Sequence, residues 1–313
     1  MNKALLLFSF MGLFWHCQTK SSPVTQQTTP SDSPYIIVLG IAQDAGYPQA
    51  QCKKECCAPA WADPAKRKMT SCIALVDPQA GHYYLVDATP NIKDQMKMAE
   101  NISGCKLNGI LLTHAHIGHY TGLMHLGREV MGAKNIPVFV MPRMFDFLSQ
   151  NGPWDQLVKL KNIELRSMKA DSMMCIDSSL WISPHLVPHR DEYSETVGFM
   201  ISGNSKTGWF IPDIDKWHLW ESDIKQELGE DFLFVDGTFY ANGEIPGRNM
   251  SDIPHPFIEE TMDLLKDERE EDKAKVHFIH FNHTNPAIWS DSVRKKIIEA
   301  GFGLAHEGQI MAL

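Results

Sequence analysis

Beyond residue 34 the chain breaks into short β-branched runs, separated by turn residues and by stretches whose apolar positions recur three or four apart. Tyr35-Ile36-Ile37-Val38-Leu39-Gly40, an apolar run closed by glycine, predicts a strand and marks the start of the folded part. Similar runs predict strands at Cys72–Val76, Tyr83–Val86, Gly109–Leu112, Val138–Met141, Leu180–Ser183, Val197–Ile201, Gly208–Ile211, Phe232–Val235 and Val276–His280. Helical spacing covers Asn91–Glu100, His119–Met131, Lys216–Leu228, Pro256–Leu265 and Pro286–Ala300. Strands arrive in clusters with helices between them, which predicts layered α+β and not a strictly alternating doubly wound sheet. No second linker interrupts residues 35–313, so they read as a single domain. Neither a GxGxxG after the first strand nor a P-loop is present.

The N-terminal segment has a different character. Lys3 precedes an apolar run from Ala4 to Trp15, the shape of a secretory signal and too short to span a bilayer. Residues 1–16 therefore read as a signal peptide of lipoprotein type. Cys17 stands where acylation would attach the chain to a membrane, although Trp15 and His16 are larger than the residues usual before cleavage. Residues 17–34, rich in Ser, Thr, Gln and Pro, bury too little apolar surface to fold and read as a tether. The expected location is an exported, membrane-anchored protein at a periplasmic or outer surface.

Composition narrows the function classes. With 43% hydrophobic and 21% charged residues, the chain is neither disordered nor a multi-span membrane protein. A formal net charge of −9 lacks the basic face that non-specific nucleic-acid binding needs. A small-molecule substrate is the expected partner.

The fourteen histidines carry the chemistry through their placement. In Leu111-Leu112-Thr113-His114-Ala115-His116-Ile117-Gly118-His119-Tyr120 an apolar strand ends at Thr113 and a helical pattern follows. His114 and His116, two apart in extended chain, point to one side, and His119 approaches from the next turn. Three imidazoles at a strand's C-terminal end suit zinc. His185 and His189, Asp213 and Asp215 after a strand, and His280 and His283 at another strand end supply further ligand candidates. Ligands scattered over strand-end loops are what a hydrolytic metal centre requires.

This constellation resembles the metallo-β-lactamase fold superfamily, an αββα sandwich, along the whole folded part. The family pattern His-x-His-x-Asp-His, His, Asp, His falls on His114, His116, Gly118, His119, His189, Asp213 and His283, and Asp87 matches its structural aspartate. The segments LGIAQDAGYPQAQCKKECC, LVDATPNIKDQM, GHYTGLMHL, FVDGTFY, MSDIPHPF and HFNHTNP are most similar to the pyrroloquinoline quinone (PQQ) biosynthesis protein B branch and related phosphodiesterases. The resemblance implies a first metal site of His114, His116 and His189. It implies a second from His119 and His283 with Asp213 as bridge, short of a ligand because glycine stands at 118. One firmly bound zinc and a weak or exchangeable second metal are expected, with Asp213 and His283 in catalytic roles and His280 supporting His283 from behind.

Cys52, Cys56 and Cys57 lie in one loop; the resemblance implies a structural zinc there, with Asp252 or His255 as the further ligand. Disulfides remain the competing reading for an exported chain. Cys72, Cys105 and Cys175 read as buried hydrophobes, and His125 and His306 as structural. The implied activity is hydrolysis of a phosphodiester or ester-like bond by zinc-activated hydroxide. The alternatives are an oxygenase or carrier like PQQ biosynthesis protein B, with iron in place of zinc, and a metal-binding protein that lost turnover with the change at 118.

Overall fold

The computed structural model describes residues 32–250 and 253–313. The proposed signal segment, Cys17 and almost all of the tether lie outside the described residues, as does Asp252. Among the described residues no helix is long and apolar enough to cross a membrane.

Fourteen strands are described: β1 Tyr35–Gly40, β2 Cys72–Asp77, β3 His82–Val86, β4 Lys106–Leu111, β5 Ile136–Val140, β6 Ile163–Ser167, β7 Met174–Asp177, β8 Leu180–Leu186, β9 Val197–Ser202, β10 Thr207–Ile211, β11 Phe232–Asp236, β12 Val276–Ile279, β13 Gly303–Leu304 and β14 Ile310–Ala312. They form two seven-stranded sheets, ordered β14-β1-β2-β3-β4-β5-β6 and β13-β12-β11-β10-β9-β8-β7. Each sheet is antiparallel on one side and parallel on the other: β14, β1, β2 and β3 pair antiparallel and β3 to β6 parallel, while β7 to β10 pair antiparallel and β10 to β13 parallel.

The strand period sorts the core into layers. Ile36 and Val38 of β1, with Ile73, Leu75, Tyr84, Val86 and Leu111, pack against Phe199, Phe210, Phe234 and Phe278 of the second sheet. Their neighbours Tyr35, Ile37, Leu39, Ala74 and Leu85 face outward and are covered by Ile92 and Ala99 of the helix Ile92–Ser103. Burial of both faces explains why the central strands read as unbroken apolar runs. On the far side, the helices Ile258–Leu264 and Asp291–Glu299 bury Ile258 and Ile297 in the inter-sheet cluster. The result is the expected αββα order.

Local differences have local causes. The helix expected over 119–131 is one α turn, Ile117–Tyr120, followed by a 3-10 stretch, Thr121–Leu126, because Gly122 and Gly127 weaken a helix interior. The expected helix over 216–228 divides into Trp217–Leu219 and Ile224–Glu227, the latter begun by Asp223, whose carboxylate accepts from the Lys225 amide. Cys175 is exposed, whereas Cys72 and Cys105 are buried as expected. What matters for function is that β1, β3, β4, β8, β10, β11 and β12 all end at one rim, where their following loops meet.

Candidate metal centre

Four groups of potential ligands assemble among the described residues, one of them, Asp213, Asp236 and His255, sharing Asp213 with the first described below. In the first, His114, His116, His189 and Asp213 each offer an atom within 4.8 Å of the others. His116 Nδ1 lies 3.3 Å from His189 Nε2, and Asp213 Oδ1 lies 3.2 Å from that same Nε2. His114 Nε2 is 3.4 Å from Asp213 Oδ2. Ligands about 2.0–2.1 Å from a tetrahedral zinc stand roughly 3.4 Å apart, so these spacings fit the ion.

Outer contacts fix which nitrogen faces the centre. The Thr113 hydroxyl has both oxygens of Asp87 at 3.0 Å and donates to that carboxylate, so it accepts from His114 Nδ1 at 2.9 Å and leaves Nε2 as the free lone pair. His189 Nδ1 faces Asp215 at 3.1 Å, and His116 turns Nε2 to Glu192 at 3.2 Å. The centre therefore receives Nε2, Nδ1 and Nε2 from the three histidines.

The second cluster is Asp44, His119 and His280. His119 Nδ1 is held by Asp87 at 2.7 Å and His280 Nδ1 by the Thr238 hydroxyl at 2.9 Å, which directs both Nε2 atoms inward. Asp213 Oδ2 lies 3.9 Å from one and 4.0 Å from the other, so this carboxylate reaches both clusters. The inward nitrogens of His114, His119 and His280, with Asp44 Oδ1 and Asp213 Oδ1, are buried and have no hydrogen-bond partner among the described residues. Polar atoms left so at one point fit a cation.

The electrostatics agree. Burial works to raise the Asp213 carboxyl, but the charges of His189 and His255 outweigh it and hold it far below the usual range. Burial would lower His189, yet Asp213 and Asp215 push it up to about 10. His119 is likewise raised, with burial overcome by Asp87 and Asp44. His114 and His280 are lowered, chiefly by burial, and stand neutral as ligands must. Protons on His189 and His119 here balance carboxylates that a divalent ion would otherwise neutralise.

The third cluster corrects two expectations. Cys52, Cys56 and Cys57 gather around His283 and not around His255, while Asp252 lies outside the described residues. The Sγ atoms of Cys52 and Cys56 are 3.9 Å apart and those of Cys56 and Cys57 4.0 Å, far beyond a disulfide bond. His283 Nδ1 lies 3.3 Å from Cys57 Sγ and 3.7 Å from Cys56 Sγ. These are the edges of a tetrahedron of Zn–S and Zn–N bonds of about 2.3 and 2.0 Å. Burial pushes the Cys57 thiol up to about 12, so a cation is needed to hold Cys57 as a thiolate.

His283, expected beside His119, thus stands with the cysteines, and His280 takes the place beside His119. The reason is backbone geometry. Strand β12 stops at Ile279, and His280 adopts a left-handed φ of 67° that swings the following loop away. His255, expected beside the cysteines, lies instead next to Asp213, where its Nδ1 is 2.8 Å from Asp236 and 3.3 Å from Asp213. His185, by contrast, pairs with Asp171 at 2.8 Å.

Comparison with known proteins agrees with this architecture. The Beta-lactamase superfamily domain family matches residues 82–281, from β3 to just past His280. The chain belongs to the beta-lactamase superfamily. Within it, the coenzyme PQQ synthesis protein B of Methylorubrum extorquens is 26% identical over 308 residues, covering 89% of this chain and all of the relative. That of Xanthomonas campestris is 25% identical over 307 residues, covering 89% and 99%. Among solved structures, Zn(2+)-bound PqqB from Methylobacterium extorquens superposes with a TM-score of 0.75 at 23% identity, covering 89% and 100%. A diphosphatase from the PhnP family superposes at 0.65 with 19% identity, covering 90% and 97%. The superfamily fold of this chain is thus that of the PQQ synthesis protein B group, with metallo-hydrolases among its structural neighbours.

Proposed function

We propose that this protein is a metal-dependent hydrolase of a small phosphodiester or ester-like substrate. The observation that carries the reading is Asp213, one buried carboxylate reaching two histidine clusters in which the inward nitrogens of His114, His119 and His280 have no hydrogen-bond partner among the described residues. His114, His116 and His189 would hold the first ion, and His119 and His280 the second. When bound, zinc supplies a water acidified towards neutrality and a Lewis acid for a substrate oxygen. Asp213 orients the attacking water. His255, beside Asp213, has its proton favoured by Asp236 against the effect of burial, and it supplies a proton to the leaving oxygen.

A groove of about 330 Å³ that includes His189 offers the substrate place. Leu186, Leu219 and Trp220 give it apolar walls, and Asp191, Glu195 and Glu221 an acidic rim. That lining favours a small substrate of low charge over a polyanion.

The similarity to PQQ synthesis protein B supports a second reading, a part in cofactor biosynthesis, and the imidazole and carboxylate set, which also suits ferrous iron, would then serve an oxygenase or carrier. Elemental analysis of protein purified without added metal, with turnover of bis-p-nitrophenyl phosphate, separates the two. Zinc with turnover that disappears in His116→Ala supports the hydrolase; iron without turnover supports the alternative.

A further inference from the structure

The second cluster draws its carboxylate from an unexpected part of the chain. Asp44 sits in the loop after β1, and its Oδ1 lies 3.4 Å from His119 Nε2 with no hydrogen-bond partner among the described residues. Its reach depends on Gly118. A Cβ at position 118 would lie 2.3 Å from Asp44 Oδ1 and 2.4 Å from Asp44 Cα. The second contact is with backbone, so no rotamer of Asp44 relieves it. Position 118 can carry a side chain, or Asp44 can occupy its present place, but not both.

We propose that Asp44 is a ligand of the second metal ion, taking the place of a carboxylate at position 118, and that Asp44 and Gly118 form an interchangeable pair. This rests on the two-ion reading above. The loop is tied to the segment that carries the other ligand: Ala42 bridges Phe281, the Gln43 amide donates to the Phe281 carbonyl at 2.8 Å, and the Phe281 amide to the Ile41 carbonyl at 2.8 Å. Asp44 and His280 are therefore fixed relative to each other by backbone. With Asp44, His119, His280 and the shared Asp213, the second ion has a full tetrahedral set.

The assignment reverses the expected weakness of this site. A glycine at 118 removes one donor and admits another, so the second ion is held by two carboxylates and two imidazoles.

The test is metal binding by the full chain, independent of turnover. Wild type, Asp44→Asn, Asp44→Gly, Gly118→Asp and the Asp44→Gly/Gly118→Asp double variant are stripped with chelator and titrated with zinc and with cobalt(II). Equivalents are read by elemental analysis, and coordination by the cobalt absorption bands. Asp44→Asn and Asp44→Gly are expected to bind one equivalent fewer, or to bind it at least tenfold more weakly, with the first site unchanged. The double variant is expected to recover that equivalent. Gly118→Asp alone is expected to lower the thermal midpoint through the clash; should it fail to fold, the Asp44 variants and the double variant still decide. Wild-type affinity for every equivalent in Asp44→Asn, or a double variant no better than Asp44→Gly, overturns the proposal. Intact metal binding without turnover in wild type would instead remove the hydrolase reading and leave Asp44 as a ligand.

Discussion

Asp87 Oδ2 lies 2.7 Å from His119 Nδ1, and both side chains are completely buried. The same carboxylate accepts from the Thr113 amide at 2.8 Å and from its hydroxyl, so one acid fixes both the strand end and the ring. Asp87 itself adopts a left-handed φ of 74° to reach this place. Removing it leaves a buried imidazole and two donors unpaired. Asp87→Ala is expected to cost about 3–5 kcal/mol of stability. Asp87→Asn keeps the packing but loses the charge, and the second ion is expected to bind 10–100-fold more weakly. Urea unfolding and zinc titration measure the two effects; a wild-type titration for Asp87→Asn would refute the positioning role.

The cysteine cluster predicts a division of labour among the histidines. His283→Ala is expected to lose the same zinc equivalent as Cys56→Ser and to lower the thermal midpoint, because the loop after β1 would lose the link through the cysteines that adds to its backbone ties to the segment after β12. His116→Ala is expected to lose a different equivalent and all turnover, with a small effect on the midpoint. If His283→Ala instead abolished turnover and lost the equivalent that His116→Ala loses, the assignment of His283 to the cysteines would be wrong.

Zinc uptake at the first site should release protons. Asp213 and Asp215 hold a proton on His189 up to a pH of about 10, and a metal ligand must be deprotonated. The apparent affinity of the first site is therefore expected to rise with pH through the neutral range. Calorimetric titration in two buffers of different ionisation enthalpy counts the protons. No net release at neutral pH would mean that His189 does not bind the ion.

The legible parts of this chain were those with local signatures. Three histidines within six residues at a strand-to-helix junction announced a cluster of potential metal ligands from spacing alone, and the central strands announced themselves because both faces are buried. Strands β6 and β7 lie at sheet edges with burial on few positions, so no apolar run marks them. The exchange of His280 and His283 was hidden in one positive φ, which no periodicity reveals. The partner of the cysteines lies 226 residues from Cys57, with no motif linking the two. Asp44 had one indirect signal, the glycine at 118, whose missing carboxylate implied a donor from elsewhere without naming it.

His277 on β12 gives the fold its own pH dependence, apart from the metal. Its Nδ1 has no hydrogen-bond partner among the described residues, and its ring packs 5.5 Å from that of Phe234. Burial, with a smaller contribution from the charge of His306, lowers its pKa from 6.5 to about 4. Unfolded chains take up a proton as pH falls below 6.5, while the folded protein refuses it until about pH 4. The stabilisation is complete above 6.5 and is lost as pH falls towards 4, by an amount on the order of 1–2 kcal/mol at pH 5. His277→Gln has no charge to gain, so its stability is expected to fall less between pH 7 and pH 5 than that of wild type. Urea midpoints for both proteins, with metal saturating at each pH, make the comparison. Equal losses in the two would show that this ring is not the titrating group.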